Sequence, residues 1–288
     1  MQTAFGIAFD SLALGMVLFV ICIGLSVMMG LMRVVNLAHG AFAMLGGYFA
    51  SVFTTQLGWN YAGAIIVSVV AVVVLAMPLE RFLYRSVYGS EAVLPQVLMT
   101  TGITFTAIGM ANYIFGSTVK PIKIPELISG PVDLGIRHVP AHRLFVIICG
   151  VATAALIWLL MERTRFGIKL RAAVDKPEMA AALGIQTQKI YAITFALAVG
   201  LGAFGGIVGA QILPIEPYYA LRYMMIFLLV VSVGGAGSIQ GALGAALLLS
   251  FVDTLGKYLF PEFGDFFFYL AVILIVLALP NGFWGRNQ

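Results

Sequence analysis

The sequence predicts an all-α membrane protein, a polytopic bundle of about eight or nine transmembrane helices forming one domain over residues 1–288. Three observations carry this. Hydrophobic residues make up 61% of the chain and charged residues only 10%, and the mean hydropathy is +1.04, whereas a soluble globule hydrates its surface with roughly 25% charged residues. Long apolar runs recur from one end of the chain to the other, and the basic residues between them concentrate in particular connections.

Crossing a hydrocarbon core of about 30 Å takes ~20 apolar residues in a helix. Runs that fit lie near 8–30, 37–55, 61–80, 92–115, 142–161, 190–212, 221–233, 239–259 and 265–281. No lysine or arginine precedes Arg33, and a cleavable signal peptide opens on a basic segment, so the first run is expected to be a retained helix. The seventh is short and runs into Gly234, Gly235 and Gly237, which fits either a full crossing or a broken, re-entrant element.

The loop 162–189 carries Arg163, Arg165, Lys169, Arg171, Lys176 and Lys189. Basic residues gather on the cytoplasmic side of membrane proteins, so this loop is placed inside. Counting crossings outward then puts Arg33, Arg81, Arg85 and Arg286 inside and the N-terminus outside. The segment 116–141, with Pro121, Pro125, Gly130, Pro131 and Pro140, becomes an outer loop whose turn residues argue against a long helix. Lys120, Lys123 and Arg137 also lie there, so the charge asymmetry is a bias. The net charge of +4 has this origin and implies no nucleic-acid partner. Cys22 and Cys149 each sit within an apolar run and read as buried thiols, with no disulfide framework and no metal site.

Gly200-Leu201-Gly202-Ala203-Phe204-Gly205 matches the dinucleotide fingerprint, but that motif needs a strand before it and a helix opening after it. Here it falls inside an apolar helical run, and a cofactor site is rejected. Gly202/Gly206 and Gly205/Gly209 instead satisfy the four-residue spacing that lets membrane helices approach closely. A phosphate-binding loop and an H-E-x-x-H motif are both absent from the sequence, so no ATP hydrolysis is expected of this chain.

Two clusters mark candidate sites within the membrane. Asn36 and His39, followed by Gly40, are three apart where a span begins. On a helix they share a face, as an interfacial cap or as the lining of a solvated path, since polar groups in spans usually face the bundle interior or a cavity. Ser232, Gly234, Gly235, Gly237, Ser238 and Gly241 disfavour a continuous helix, and non-helical backbone at membrane depth survives only where protein or water satisfies it. Such breaks mark substrate sites in transporters; the alternative is a cytoplasmic turn.

The basic loop holds a third candidate. Asp175 is positioned to cap a short helix containing Pro177, Glu178 and Ala181, which Gly184 would end. This helix reads either as a docking element or as a solvated connector. Asp253 and Lys257, four apart in the eighth run, are expected to neutralise each other, with a proton-coupling role for Asp253 as the alternative. Glu216, between Pro214 and Pro217, falls in a short outer loop.

In order and spacing these clusters resemble the LivH-type permeases of bacterial ATP-binding-cassette importers for branched-chain amino acids. The matching residues are Asn36-Leu37-Ala38-His39-Gly40 with Gly46-Gly47, Gly167 to Ala172 through Asp175 and Glu178 to Leu183-Gly184-Ile185, Gly234-Gly235-Ala236-Gly237-Ser238 with Gly241, and Pro280-Asn281-Gly282. The resemblance implies a bacterial inner-membrane transport subunit with no cofactor of its own. Its partners would be a LivM-type permease, two cytoplasmic subunits that bind ATP and Mg, a periplasmic binding protein and membrane lipid. It implies that the loop residues Arg171, Asp175, Pro177, Glu178, Ala181 and Gly184 couple to the ATPase. It also strengthens the assignment of Asn36, His39, Gly40, Ser232, Gly234, Gly235 and Ser238 to the pathway. Family members handle leucine, isoleucine and valine, relatives carry urea, short amides or aromatic acids, and selection falls largely to the binding protein. The competing class is a secondary, ion-coupled transporter or a channel for small polar solutes.

Overall fold

The computed structural model describes residues 2–88, 92–133 and 138–278. Each apolar run forms a helix within those limits: α1 (Gln2–Leu31), α2 (His39–Ser51), α3 (Tyr61–Phe82), α4 (Val93–Phe115), α6 (Ala141–Arg163), α9 (Thr187–Val208), α10 (Tyr219–Gly234), α11 (Ile239–Leu259) and α12 (Gly264–Ala278). A π-helical turn, Val52–Gln56, extends α2. Among its described residues, the loop after α4 holds only the one-turn α5 (Glu126–Ser129) and a small antiparallel pair of β1 (Pro131–Asp133) and β2 (His138–Pro140). The basic loop folds as two helices, α7 (Arg165–Asp175) and α8 (Pro177–Ala182). Arg137, Arg286 and the Pro280-Asn281-Gly282 motif lie outside the described residues.

Among the described residues, six helices are long and apolar enough to cross a membrane: α1, α3, α4, α6, α9 and α11. The apolar window of α1 is 83% buried, against 22% for those of α3 and α4, so α1 is the axis of the bundle and the other two are peripheral. It packs on α11, α9, α6 and α10. Ser250 donates to the Ser11 carbonyl near the start of α1, and the Gly237 amide donates to Ser26 near its end, which sets α11 antiparallel to α1. Exposed Ile66, Val70 and Val74 on α3 and Leu94, Leu98 and Phe105 on α4 give these helices apolar outer faces suited to lipid.

Small residues set how close the helices come. A Cβ at Gly206 would lie 2.1 Å from the Ala43 carbonyl of α2, and one at Gly202 would lie 3.0 Å from the His39 ring. On the other face of α9, a Cβ at Gly205 would meet Ile21 at 2.5 Å and one at Gly209 would meet Val17 at 2.4 Å, both on α1. The two spaced pairs therefore serve two different neighbours, with α9 wedged between α1 and α2.

Two local expectations change. The cluster at 232–241 is a tight turn between α10 and α11, and not a break within a helix. Gly235 and Gly237 both have φ of +85°, which glycine adopts at no steric cost, and Ser238 caps α11 by accepting from the Gly241 amide at 3.0 Å. Asp175 does not cap α8; it is the last residue of α7, and Lys176 holds the N-cap position without a side-chain hydrogen bond. The amphipathic α7, buried at Gly167, Leu170 and Ala173, claims Asp175 because its apolar face packs on α6 and α9.

Candidate functional site: a broken intramembrane segment and an exposed helix pair

The break in the membrane lies between α1 and α2. After Leu31 the chain leaves helical geometry, with Arg33 at φ 53°, and α2 begins only at His39. The His39 Nε2 atom lies 2.8 Å from the Ile21 carbonyl; a carbonyl can only accept, so Nε2 carries the proton. Ile21 is ten residues before the end of α1, and at 1.5 Å per residue α2 therefore starts about 15 Å inside that end. Residues 33–37 climb back into the bundle without i→i−4 backbone hydrogen bonds of their own.

Asn36 organises this segment. Fully buried, its Oδ1 accepts from its own chain at the Ala38 amide, 3.1 Å away, and from the Tyr84 hydroxyl at 2.8 Å. The Val35 amide donates to Gln96 Oε1 of α4 at 2.9 Å. These contacts supply what helix geometry would otherwise provide, and an unmet backbone group at this depth is costly. Asn36, Leu37, His39 and Gly40, with Leu25 of α1 and Met224, Phe227 and Leu228 of α10, wall a small recess. His39 Nδ1 is buried and has no hydrogen-bond partner.

Asn36, His39 and Gly40 thus come together, while Ser232, Gly234, Gly235 and Ser238 are not among the walls of this recess. Ser232 is exposed and Ser238 is engaged as a helix cap. Tyr84 and Gln96 escaped the sequence reading. A signal existed for Gln96: it repeats at four-residue spacing with Thr100 and Thr104, a buried polar stripe along one face of the helix.

Outside the bundle, a sharp elbow at Thr164 joins α6 to α7. A Cβ at Gly167 would stand 1.9 Å from the Met161 carbonyl, and Arg171 donates to that same carbonyl at 2.9 Å. Beyond α7, α8 is anchored by buried Ala180 and leaves Glu178, Met179, Ala181 and Leu183 exposed. Gly184, at φ +81°, ends it, with the Ile185 amide returning to the Ala180 carbonyl. The Asp253–Lys257 pair, 2.8 Å apart, lies one turn beyond Ser250, which reaches Ser11 in the first third of α1. It sits toward the N-terminal end of α1, whereas His39 meets α1 at Ile21 and the recess is walled by Leu25.

Six helices long and apolar enough to cross a membrane, a buried non-helical polar segment and an exposed helix pair in the basic loop are the features of a polytopic membrane subunit. Comparisons with known proteins agree. The model of a family described as "Branched-chain amino acid transport system / permease component" matches residues 7–278, and the chain belongs to that family. It is a multi-pass permease component of an ATP-binding-cassette system of the inner membrane. It is 27% identical, over 97% of its length and 95% of the relative's, to the high-affinity branched-chain amino acid transport system permease protein LivH of Escherichia coli. Identity is 26% with BraD of Pseudomonas aeruginosa, over 97% of this chain and 95% of that protein. The guanosine ABC transporter permease protein NupQ of Bacillus subtilis is 26% identical over 85% of this chain and 72% of its own. A solved structure of PsaBC from Streptococcus pneumoniae in complex with Fab shares the fold, with a TM-score of 0.50 at 12% identity, covering 96% of this chain and 92% of that one.

Proposed function

We propose that this chain forms one half of the translocation path of an importer for branched-chain or chemically related amino acids. A LivM-type permease would form the other half, and a periplasmic binding protein would deliver substrate. Two cytoplasmic subunits would bind ATP with Mg and hydrolyse it, leaving this chain a purely transporting role. The observation that carries the coupling is α8: a helix of six residues that turns Glu178, Met179 and Leu183 outward at the end of a buried bundle. An exposed pair of apolar side chains beside a carboxylate suits a protein partner better than water. Arg171, Asp175, Pro177, Ala181 and Gly184 set its position and limits.

Within the membrane, Asn36, His39 and Gly40 supply the polar part of the path. The glycine turn, with Ser232, Gly234, Gly235 and Ser238, flanks its cytoplasmic end. Apolar walls at Leu25, Met224, Phe227 and Leu228 suit a ligand that is polar at one end and aliphatic at the other. We count eight or nine crossings, adding the shorter α10 and α12, and α2 as an element that enters from mid-membrane, to the six long helices.

The test is Glu178→Arg in the reconstituted complex. Reversing the charge on α8 should abolish ATP-driven uptake while the permease still inserts and folds. Normal ATP-driven uptake in this variant would overturn the coupling assignment.

A further inference from the structure

The polar segment in the membrane and the helices of the basic loop are joined by a continuous set of side-chain contacts. It begins on α7, where the Ala173 carbonyl accepts from the Tyr191 hydroxyl of α9 at 2.7 Å. The Tyr191 ring meets the Tyr88 ring edge-on, with centroids 5.4 Å apart. Tyr88 belongs to the compact turn that follows α3, in which Tyr84–Ser86 is a 3-10 helix and the Val87 amide returns to the Tyr84 carbonyl at 3.0 Å. At the other end of that turn, Tyr84 is fully buried, packs its ring against Phe195 at 4.7 Å and donates to Asn36. Arg85 ties the turn back to α3 through buried Glu80 at 3.3 Å.

We propose that the Tyr84–Tyr88 turn is the transmission element of this permease, with Tyr191, Tyr88 and Tyr84 as positioning residues that pass displacement of α7 to the Asn36–His39 segment. The proposal rests on the reading of α7 and α8 as the ATPase-coupling helices. Its physical basis is the difference between the two ends. Residues 33–37 make no i→i−4 backbone hydrogen bonds, and beyond the Val34 amide, which returns to the Met28 carbonyl at 3.3 Å, their conformation rests on the side chains that hold them. The turn is a short, hydrogen-bonded unit. A shift of α7 relative to α9 pulls on the Tyr191 hydroxyl, turns the Tyr88 ring, and carries the Tyr84 hydroxyl toward or away from Asn36 Oδ1. Coupling between distant sites needs such an element with two arrangements, and a non-helical segment within a rigid bundle can supply one.

The experiment uses the full complex in liposomes, with ATP inside and binding protein and leucine outside, and measures both ATP hydrolysis and uptake. Tyr191→Phe and Tyr84→Phe each remove one hydroxyl and keep the ring, so packing against Tyr88 and Phe195 survives. Tyr191→Phe should leave thermal stability and basal ATP hydrolysis near wild type, Tyr84→Phe should lower stability because the buried Asn36 Oδ1 loses a donor, and each should lower uptake per ATP about three- to tenfold, the worth of one hydrogen bond. Because both act in one chain of contacts, the double variant should fall no further than the worse single variant. Tyr88→Ala, which cuts the chain at its ring contact, should match it. Unchanged uptake per ATP in the single variants, or losses that multiply in the double variant, would overturn the proposal while leaving ATP coupling intact. Wild-type uptake indifferent to ATP would overturn it together with the reading on which it rests.

Discussion

The His39 ring of α2 holds the Ile21 carbonyl of α1 at 2.8 Å, fastening a helix that starts inside the membrane to one that crosses it unbroken. Gly24 and Gly202 leave the room for that ring, since a Cβ on either would approach it to 3.0 Å. His39→Ala should remove the hydrogen bond and open a cavity between α1, α2 and α9. The expected loss is about 2 kcal/mol or more of stability, seen as a lower unfolding temperature in detergent, together with lost uptake. His39→Gln, whose amide also donates, should recover part of both. A His39→Ala variant as stable as wild type would mean that α2 is positioned by other contacts.

The glycines of α9 permit a comparison within one helix. Gly206→Ala places a methyl group against the Ala43 backbone, which cannot give way without moving α2, whereas at Gly200 the nearest atoms are Val73 and Val69 side chains at 3.5 Å and 3.6 Å. Overpacking of this kind costs about 1–3 kcal/mol. Gly206→Ala should therefore lower the thermal midpoint, and Gly200→Ala should stay within about 0.5 kcal/mol of wild type. Equal effects at the two positions would contradict the packing described.

How much of this was legible beforehand depended on the scale of the feature. Apolar runs were legible because a lipid-embedded backbone must satisfy itself, so each run had to become a helix. The start of α2 in the chain was legible to within two residues, at His39 against 37, but its depth in the bundle was not, because hydropathy carries no depth. The glycines of 234–241 permit both a membrane break and a sharp turn; the turn formed because Gly237 fits against Gly30, where a Cβ would lie 2.1 Å from the Gly237 amide. In α7 the buried positions Gly167, Leu170 and Ala173 recur every third residue, but the six basic residues of the loop drew attention to its charge. Tyr84 was illegible as a site residue because its partner, Asn36, lies 48 positions away in the chain.

Gly235→Leu tests the turn. The Gly235 backbone at φ +85°, ψ 123° lies where residues with a side chain are rarely found and costs leucine about 1–3 kcal/mol, and the side chain must find space in a buried position. Reduced assembly of the complex and reduced uptake should appear together, because the turn positions α10 and α11 against α1. A variant that assembles and transports normally would show that the turn adapts at no functional cost.

The last prediction separates ATP-driven from proton-driven transport at Asp253. The carboxylate side chain is 10% exposed and the Lys257 side chain 54%, so the two partners are unequal. Lys257→Gln leaves a nearly buried carboxylate without that cation and should destabilise; Asp253→Asn leaves a half-exposed ammonium within reach of water and should be milder. The double variant Asp253→Asn, Lys257→Gln removes both charges and avoids the burial of one alone, so it should keep wild-type uptake and lie within about 1 kcal/mol of wild-type stability, as partly exposed pairs contribute little. A proton carrier would need Asp253 to cycle its charge, and no change at Lys257 could replace that. Uptake into liposomes is measured with and without ATP and with and without a protonophore, for wild type, both single variants and the double variant. ATP-dependent, protonophore-resistant uptake retained by the double variant is the expected result. Uptake that needs no ATP, collapses with the protonophore and is lost in the double variant would replace the importer reading with an ion-coupled one.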